Sequence, residues 1–285
     1  MVLENAASHW SPVTSGVPQG SILGPLLFTL FINDLPDEAA YGVKVALYAD
    51  NTKLYRNVSS AKHCDLIQDT LSNMHVWSQL NNTSKCKVLT VTRKKTPIAF
   101  DYTLDGTALT RVSEEKDLGV IITSTLSWDS HIHTITAKGN KLLGLLKRTC
   151  PLLTGISVRR SLYLSLVKSQ LCYATQVWSS AYVTLKAKVE QVQRLASRWI
   201  LRTRKDESSY KERLTLLDLL TLSLDCELKD LIFFYKCLYC STDLDVWNYE
   251  SFVSHDRTRL RKSFDLRTPF CKTSTFQDSY FNRIV

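Results

Sequence analysis

The stretch from Ser15 to Tyr55 constrains this chain more than any other. Ser15 to Phe28 reads Ser-Gly-Val-Pro-Gln-Gly-Ser-Ile-Leu-Gly-Pro-Leu-Leu-Phe. Gly16 and Gly20 bracket Pro18 and Gln19, so a permissive and then stiff backbone passes a place where large side chains would obstruct a ligand. Ser21 is placed to cap a helix that carries Pro25 early in its run. Ile22, Leu23, Leu26, Leu27, Leu30 and Phe31 recur at helical spacing, which predicts that this helix buries one face. After Pro36, Val43, Val45 and Leu47 alternate with Lys44, Ala46 and Tyr48, the pattern of a half-buried strand. Tyr48-Ala49-Asp50-Asn51 then reads as the tight turn of a hairpin, with residues 52–55 as its return strand. An acid at a hairpin tip is ordinarily a simple turn former. Only the segment before it points toward catalysis.

The order of these two segments resembles the reverse transcriptases of non-LTR, LINE-type retrotransposons. Gly16-Val17-Pro18-Gln19-Gly20 is similar to their motif B, and Tyr48-Ala49-Asp50-Asn51 to motif C, which in the family reads Tyr/Phe-Ala-Asp-Asp. The resemblance implies RNA-directed DNA synthesis from a nucleoside triphosphate on an RNA template with a DNA primer. It assigns Gly16, Pro18, Gln19, Gly20 and Tyr48 to the substrate pocket, and Asp50 to metal binding and catalysis. Polymerases clamp an in-line displacement at phosphorus between two metal ions, and Mg²⁺ takes carboxylates, phosphates and water as hard oxygen ligands. Asn51 stands where the family has its second aspartate, keeping the shape and losing the charge. The family's third metal-binding acid lies upstream in motif A, whereas residues 1–14 contain no aspartate. The expectation is therefore the motif B-onward half of such an enzyme, degenerate, truncated and inactive by itself.

The resemblance continues downstream. Ser59 or Ser60 is placed to cap a helix with Cys64, Ile67, Leu71 and Met74 on its apolar face and Trp77 extending it. Lys85 resembles the motif D lysine, for which the chemistry is general acid catalysis toward the leaving pyrophosphate. Lys85 and Lys87 fit solvated strand flanks equally well. Residues 87–92 read as a buried strand, and residues 98–104 and 107–112 as two strands joined by Asp105-Gly106, a strong hairpin signal. Residues 116–122 read as a third strand, similar to the family's primer-grip region, motif E.

From Trp128 the pattern is helical. One helix is expected over residues 131–150, burying Ile132, Ile135, Leu142, Leu145 and Leu146, with His131 and His133 as ordinary polar residues. Others are expected over residues 157–178 and 185–201, and one or two over residues 214–239. In the third, Leu185, Val189, Val192, Ala196 and Trp199 share one side, and Arg194, Arg198 and Arg202 another at i, i+4 steps. Basic residues outnumber acidic ones between Lys186 and Arg213. The resemblance makes this region the thumb and its extension, where such arginines contact phosphates without reading sequence. A solvated helix face accounts for the same pattern.

The chain has 285 residues, a net charge of +9 and eight scattered cysteines. The charge suits a polyanionic partner. The lone Cys237-x-x-Cys240 reads as reduced core thiols in an intracellular protein, nuclear or cytoplasmic, and no apolar run is long enough to span a bilayer. The fold class expected is α+β: a partial polymerase palm of mixed helices and antiparallel strands over residues 1–123, an all-α thumb and extension over residues 124–245, and a partly ordered tail over residues 246–285. The alternatives to a polymerase segment are a non-catalytic nucleic-acid-binding module and a functionless transposon relic.

Overall fold

The computed structural model describes residues 2–3, 6–7, 20–77, 86–149, 151–152, 155–179, 182–204, 207–239, 273 and 279–284. It is an α+β chain that divides into two compact units, residues 1–112 and 113–285.

In the first unit, β1 (Val2–Leu3) pairs antiparallel with β2 (Ala6–Ala7). Helix α1 (Leu23–Ile32) follows, and Ser21 Oγ accepts the Gly24 N–H at 3.0 Å, the cap that the sequence predicts. The predicted burial of its apolar stripe does not occur. Only Gly24 is buried in α1, while Leu26, Leu27, Leu30 and Phe31 are exposed. Periodicity identifies an apolar face but not what covers it; here Phe31 meets the Trp77 ring, with centroids 4.9 Å apart. Antiparallel β3 (Lys44–Tyr48) and β4 (Asn51–Tyr55) form the predicted hairpin, with Val45 and Leu47 half-buried between exposed neighbours.

Helix α2 (Ala61–Trp77) organises this unit through polar side chains. Gln68 acts as a strand partner to Thr103, donating to its carbonyl and accepting its N–H, each at 2.9 Å. Thr70 Oγ1, fully buried, accepts from Ala40 N–H at 3.0 Å. Trp77 Nε1 donates to Asp34 at 3.1 Å. At the start of the helix both the N–H and the hydroxyl of Ser59 meet the His63 ring nitrogen Nδ1, each at 3.2 Å.

The strands after α2 are shorter than the sequence suggests. The predicted buried strand over residues 87–92 shrinks to β5 (Lys87–Leu89), which pairs in parallel with β8 (Thr110–Val112) and leaves Val91 exposed. The Asp105-Gly106 hairpin is present between β6 (Thr103–Leu104) and β7 (Thr107–Ala108). Both turn residues have positive φ, 52° and 69°, as a type I′ turn requires.

The second unit opens with a correction. The single strand expected over residues 116–122 is a hairpin of β9 (Glu114–Asp117) and β10 (Val120–Thr123). It reverses at Leu118 and Gly119, with φ of 45° and 93°. Tyr173 clasps that turn: its hydroxyl donates to Leu118 O at 2.9 Å, and a Cβ on Gly119 would lie 3.2 Å from its ring. Helix α3 (Asp129–Thr149) buries Ile132, Ile135, Leu143 and Leu146, leaving Leu145 exposed against expectation. The long helix expected over residues 157–178 is broken into α4 (Ile156–Leu162), a π-helical stretch (Tyr163–Lys168), α5 (Ser169–Leu171) and, after a left-handed Ala174, α6 (Thr175–Trp178). Helices α7 (Val183–Leu201), α8 (Tyr210–Leu216) and α9 (Leu222–Tyr239) complete the core, in which Ile132, Leu143, Tyr163, Leu171, Val192 and Ile200 are almost wholly buried. The tail lies largely outside the described residues. Its described helix, Tyr280–Ile284, returns to α9 through a bond from the Tyr280 hydroxyl to Asp230 O at 2.6 Å.

His131 is a core residue rather than a surface one. It is 2% exposed, its Nδ1 accepts the Ile121 N–H at 3.3 Å, and its Nε2 is sealed without a partner. Burial holds this imidazole below its ordinary value of 6.5. The unfolded chain therefore binds a proton first as pH falls through about 6.5, and stability drops from there until the folded-state value is passed, by at most about 1.4 kcal/mol per pH unit. Urea midpoints measured between pH 8 and 5 are expected to fall more steeply for the native chain than for His131→Gln; parallel curves would remove His131 as the cause.

Candidate functional site

Two regions carry chemistry, one in each unit. In the first, the β3–β4 register pairs Tyr48 directly with Asn51, leaving Ala49 and Asp50 as a two-residue loop. Ala49 has φ of 52°, a left-handed conformation that costs a residue with a Cβ about 1–2 kcal/mol. Strain of this kind gathers where a backbone must aim a neighbouring group, and the neighbour here is Asp50, whose carboxylate stands in solvent at the tip. Tyr48 is 66% exposed. Gly20 has φ of 82° with nothing within 4 Å of where a Cβ would be, so backbone conformation and not crowding requires glycine there. Gly16, Pro18, Gln19 and Lys85 lie outside the described residues.

The donor set at this tip does not suit a pair of magnesium ions. Asp50 offers one carboxylate and Asn51 only an amide oxygen, and among the described residues no three His, Cys, Asp or Glu side chains gather where a metal ion could be held. Asp34 is already engaged by the Trp77 indole.

In the second unit, the predicted arginine row of α7 is present, but its members are not equivalent. Arg194 is exposed and stacks on the Tyr210 ring, 4.8 Å from its centroid. Arg198 is half-buried; its Nε is sealed from solvent and has no hydrogen-bond partner. Arg202 ends the helix with φ of 56° and donates to Pro151 O at 3.1 Å, so part of its donor set is used inside the protein.

Two further arginines belong to this region. Arg213, 2% exposed, also lies against Tyr210, 5.7 Å from its ring centroid, with its Nε donating to Ser197 Oγ at 3.1 Å and an Nη donating to Ser208 O at 2.5 Å. Burial, and then the charges of Arg198 and Arg194, hold its guanidinium below the ordinary value. Arg159, also 2% exposed, donates to Trp199 O at 2.9 Å and Ile200 O at 3.1 Å, two of the carbonyls left open at the end of α7. The sequence did carry a signal for the placement of Arg213: Ser209-x-x-Glu212 is a capping box, and both of its reciprocal bonds form, at 3.2 and 2.9 Å. Arg159, inside an otherwise ordinary helical run, gave none.

Residues 1–144 match the sequence profile of the family described as reverse transcriptase (RNA-dependent DNA polymerase). The chain belongs to this family. Among reverse transcriptase relatives, the RNA-directed DNA polymerase from mobile element jockey of Drosophila funebris is 30% identical over 220 residues, covering 70% of this chain and 24% of its own. The probable RNA-directed DNA polymerases from transposon BS and transposon X-element of Drosophila melanogaster are each 27% identical, over 222 and 209 residues. These relatives make the chain a LINE-type member of the reverse transcriptase family. It spans about a quarter of their length (24% and 23%). No solved structure matches it at a significant level. No helix among the described residues is long and apolar enough to cross a membrane.

Proposed function

We propose that this chain is a nucleic-acid-holding segment of a LINE-type reverse transcriptase, and that by itself it binds template and primer strands without extending them. The α7–α8 surface carries this reading. Arg213 lies in the field of both Arg198 and Arg194, which Glu212 offsets only in part, and Arg194 stands exposed beside them. Like charges held together on rigid helices favour a polyanion, whose phosphates displace counterions on binding. The relatives' names, RNA-directed DNA polymerase, favour a nucleic acid as that polyanion. The tip at Asp50 supports the second half of the reading, because its donors are too few for the metal pair.

The test is fluorescence anisotropy of a labelled duplex across a salt series. Log affinity is expected to fall linearly with log salt, with a slope of roughly −3 to −4.5 for three to five phosphate contacts on duplex DNA. Arg194→Gln removes one exposed contact and is expected to reduce the slope by about one, with circular dichroism unchanged. A folded chain that does not bind at low salt would end this reading.

A further inference from the structure

Two cysteines outside both of these regions come together in the second unit. Cys172 follows α5, at the break before the left-handed Ala174, and Cys226 lies near the start of α9. Both are free, and their thiols hydrogen-bond to each other. Cys226 is 8% exposed, whereas Cys172 is half-buried and precedes the exposed Tyr173. Asp225, next to Cys226, gathers two cations beside the pair. Lys168 reaches it from the π-helical stretch and Lys229 from the next turn of α9, each at 2.9 Å.

This setting differs from that of a structural thiol. Cysteines buried in apolar surroundings are inert, and reactive ones sit near cations with partial access to solvent. The bond from Cys226, and then the charge of Lys229, hold the Cys172 thiol below its ordinary value, against burial and Asp225. The same bond, together with burial, pushes Cys226 up. The two sulfurs are therefore unequal: one is half-buried and thiolate-prone, the other sheltered and in contact with it. A thiolate poised next to a second cysteine is oxidised through to a disulfide. Among the described residues no three His, Cys, Asp or Glu side chains gather to hold a metal ion, which leaves redox chemistry for the pair.

We propose that Cys172 and Cys226 form a reversible redox site, oxidised by hydroperoxides to a disulfide that staples the α5–α6 break to α9. In the first step the Cys172 thiolate attacks a peroxide oxygen. The O–O bond breaks, giving a sulfenic acid on Cys172 and hydroxide, which takes up the proton that Cys172 lost. In the second step the Cys226 sulfur attacks the Cys172 sulfur. The S–O bond breaks, and water leaves with the Cys226 proton. Two thiols and one hydrogen peroxide thus become one disulfide and two waters. The bridge lies beside Tyr173, whose hydroxyl holds the Leu118-Gly119 reversal, so the oxidised form ties that contact to α9. The site does not depend on the nucleic-acid-holding function.

The test uses the full chain, reduced and then exposed briefly to equimolar hydrogen peroxide at neutral pH. Remaining thiols are capped with N-ethylmaleimide under denaturing conditions, and the digested peptides are mapped by mass spectrometry. The expected main product is a peptide pair joined through Cys172 and Cys226 and parted again by dithiothreitol. Closing so long a loop is expected to raise the thermal midpoint by roughly 5 °C or more over the reduced chain. In Cys226→Ala the link is lost, and Cys172 is expected to carry a sulfenic acid that dimedone traps. Lys229→Met keeps both thiols, removes one cation, and is expected to slow oxidation of Cys172 about threefold or more. Recovery of Cys172 and Cys226 as maleimide adducts while the exposed Cys86 is oxidised would overturn the proposal. So would a lasting sulfenic acid on Cys172 of the native chain, or a link from either cysteine to a different one.

Discussion

The isolated chain is expected to add no nucleotide to a primed RNA or DNA template with Mg²⁺ or Mn²⁺, at the level of a vector-only control, and Asn51→Asp is expected to leave it there. Two-metal phosphoryl transfer needs several carboxylate oxygens converging within a few ångströms. Asp50 brings one carboxylate to an exposed hairpin tip, and among the described residues no third ligand gathers with it and its neighbour. Restoring a charge at position 51 gives a pair on one turn, still short of the set. The assay is single-nucleotide extension of a labelled primer, with the native chain and Asn51→Asp side by side. Extension by the native chain would mean that another acid joins Asp50, and Asp34 would be the first to substitute, at the cost of its bond from Trp77. Extension by Asn51→Asp alone would mean that two acids suffice at this tip.

How much of this was legible in the sequence depends on the range of the interactions involved. The β3–β4 hairpin, the Asp105-Gly106 turn, the Ser21 cap and the 209–212 capping box are encoded by a few adjacent residues, and all are present. The Leu118-Gly119 reversal was missed because the apolar run Val120-Ile121-Ile122 drew Lys116 to Gly119 into one continuous strand, and what stabilises the turn, Tyr173, is remote in sequence. The stripe on α1 was read correctly as apolar and wrongly as buried, since burial depends on the partner surface. The same limit applies to α7. Helical spacing placed Arg194, Arg198 and Arg202 on one face, but not that Arg202 would turn to Pro151 or that Arg213 would arrive from α8. The partial-palm and thumb roles, and the residues before Gly20, rest on the resemblance alone.

Gln193→Leu is expected to destabilise the second unit by about 3 kcal/mol, although it lies outside the arginine face and replaces one buried side chain by another of similar size. Gln193 is fully buried and is the junction of three helices. Its Oε1 accepts the Tyr163 hydroxyl at 2.7 Å, and its Nε2 donates to Leu220 O at 2.8 Å and to the Tyr210 hydroxyl oxygen at 3.1 Å. Leucine supplies none of these bonds, so the Tyr163 hydroxyl and the Leu220 carbonyl lose their partner at this position, each at about 1–3 kcal/mol. Burial holds the Tyr163 phenol well above its ordinary value, so ionisation offers no relief. The double-mutant cycle with Tyr163→Phe decides the cause. If the loss comes from orphaned polar groups, Tyr163→Phe removes one of them in advance, and the double variant is less destabilised than the sum by about 1 kcal/mol. Urea denaturation of the four chains gives that coupling, and strict additivity would assign the loss to packing around the leucine instead. Because Tyr210 also lies against Arg194 and Arg213, the same variant is expected to loosen the arginine face and weaken duplex binding.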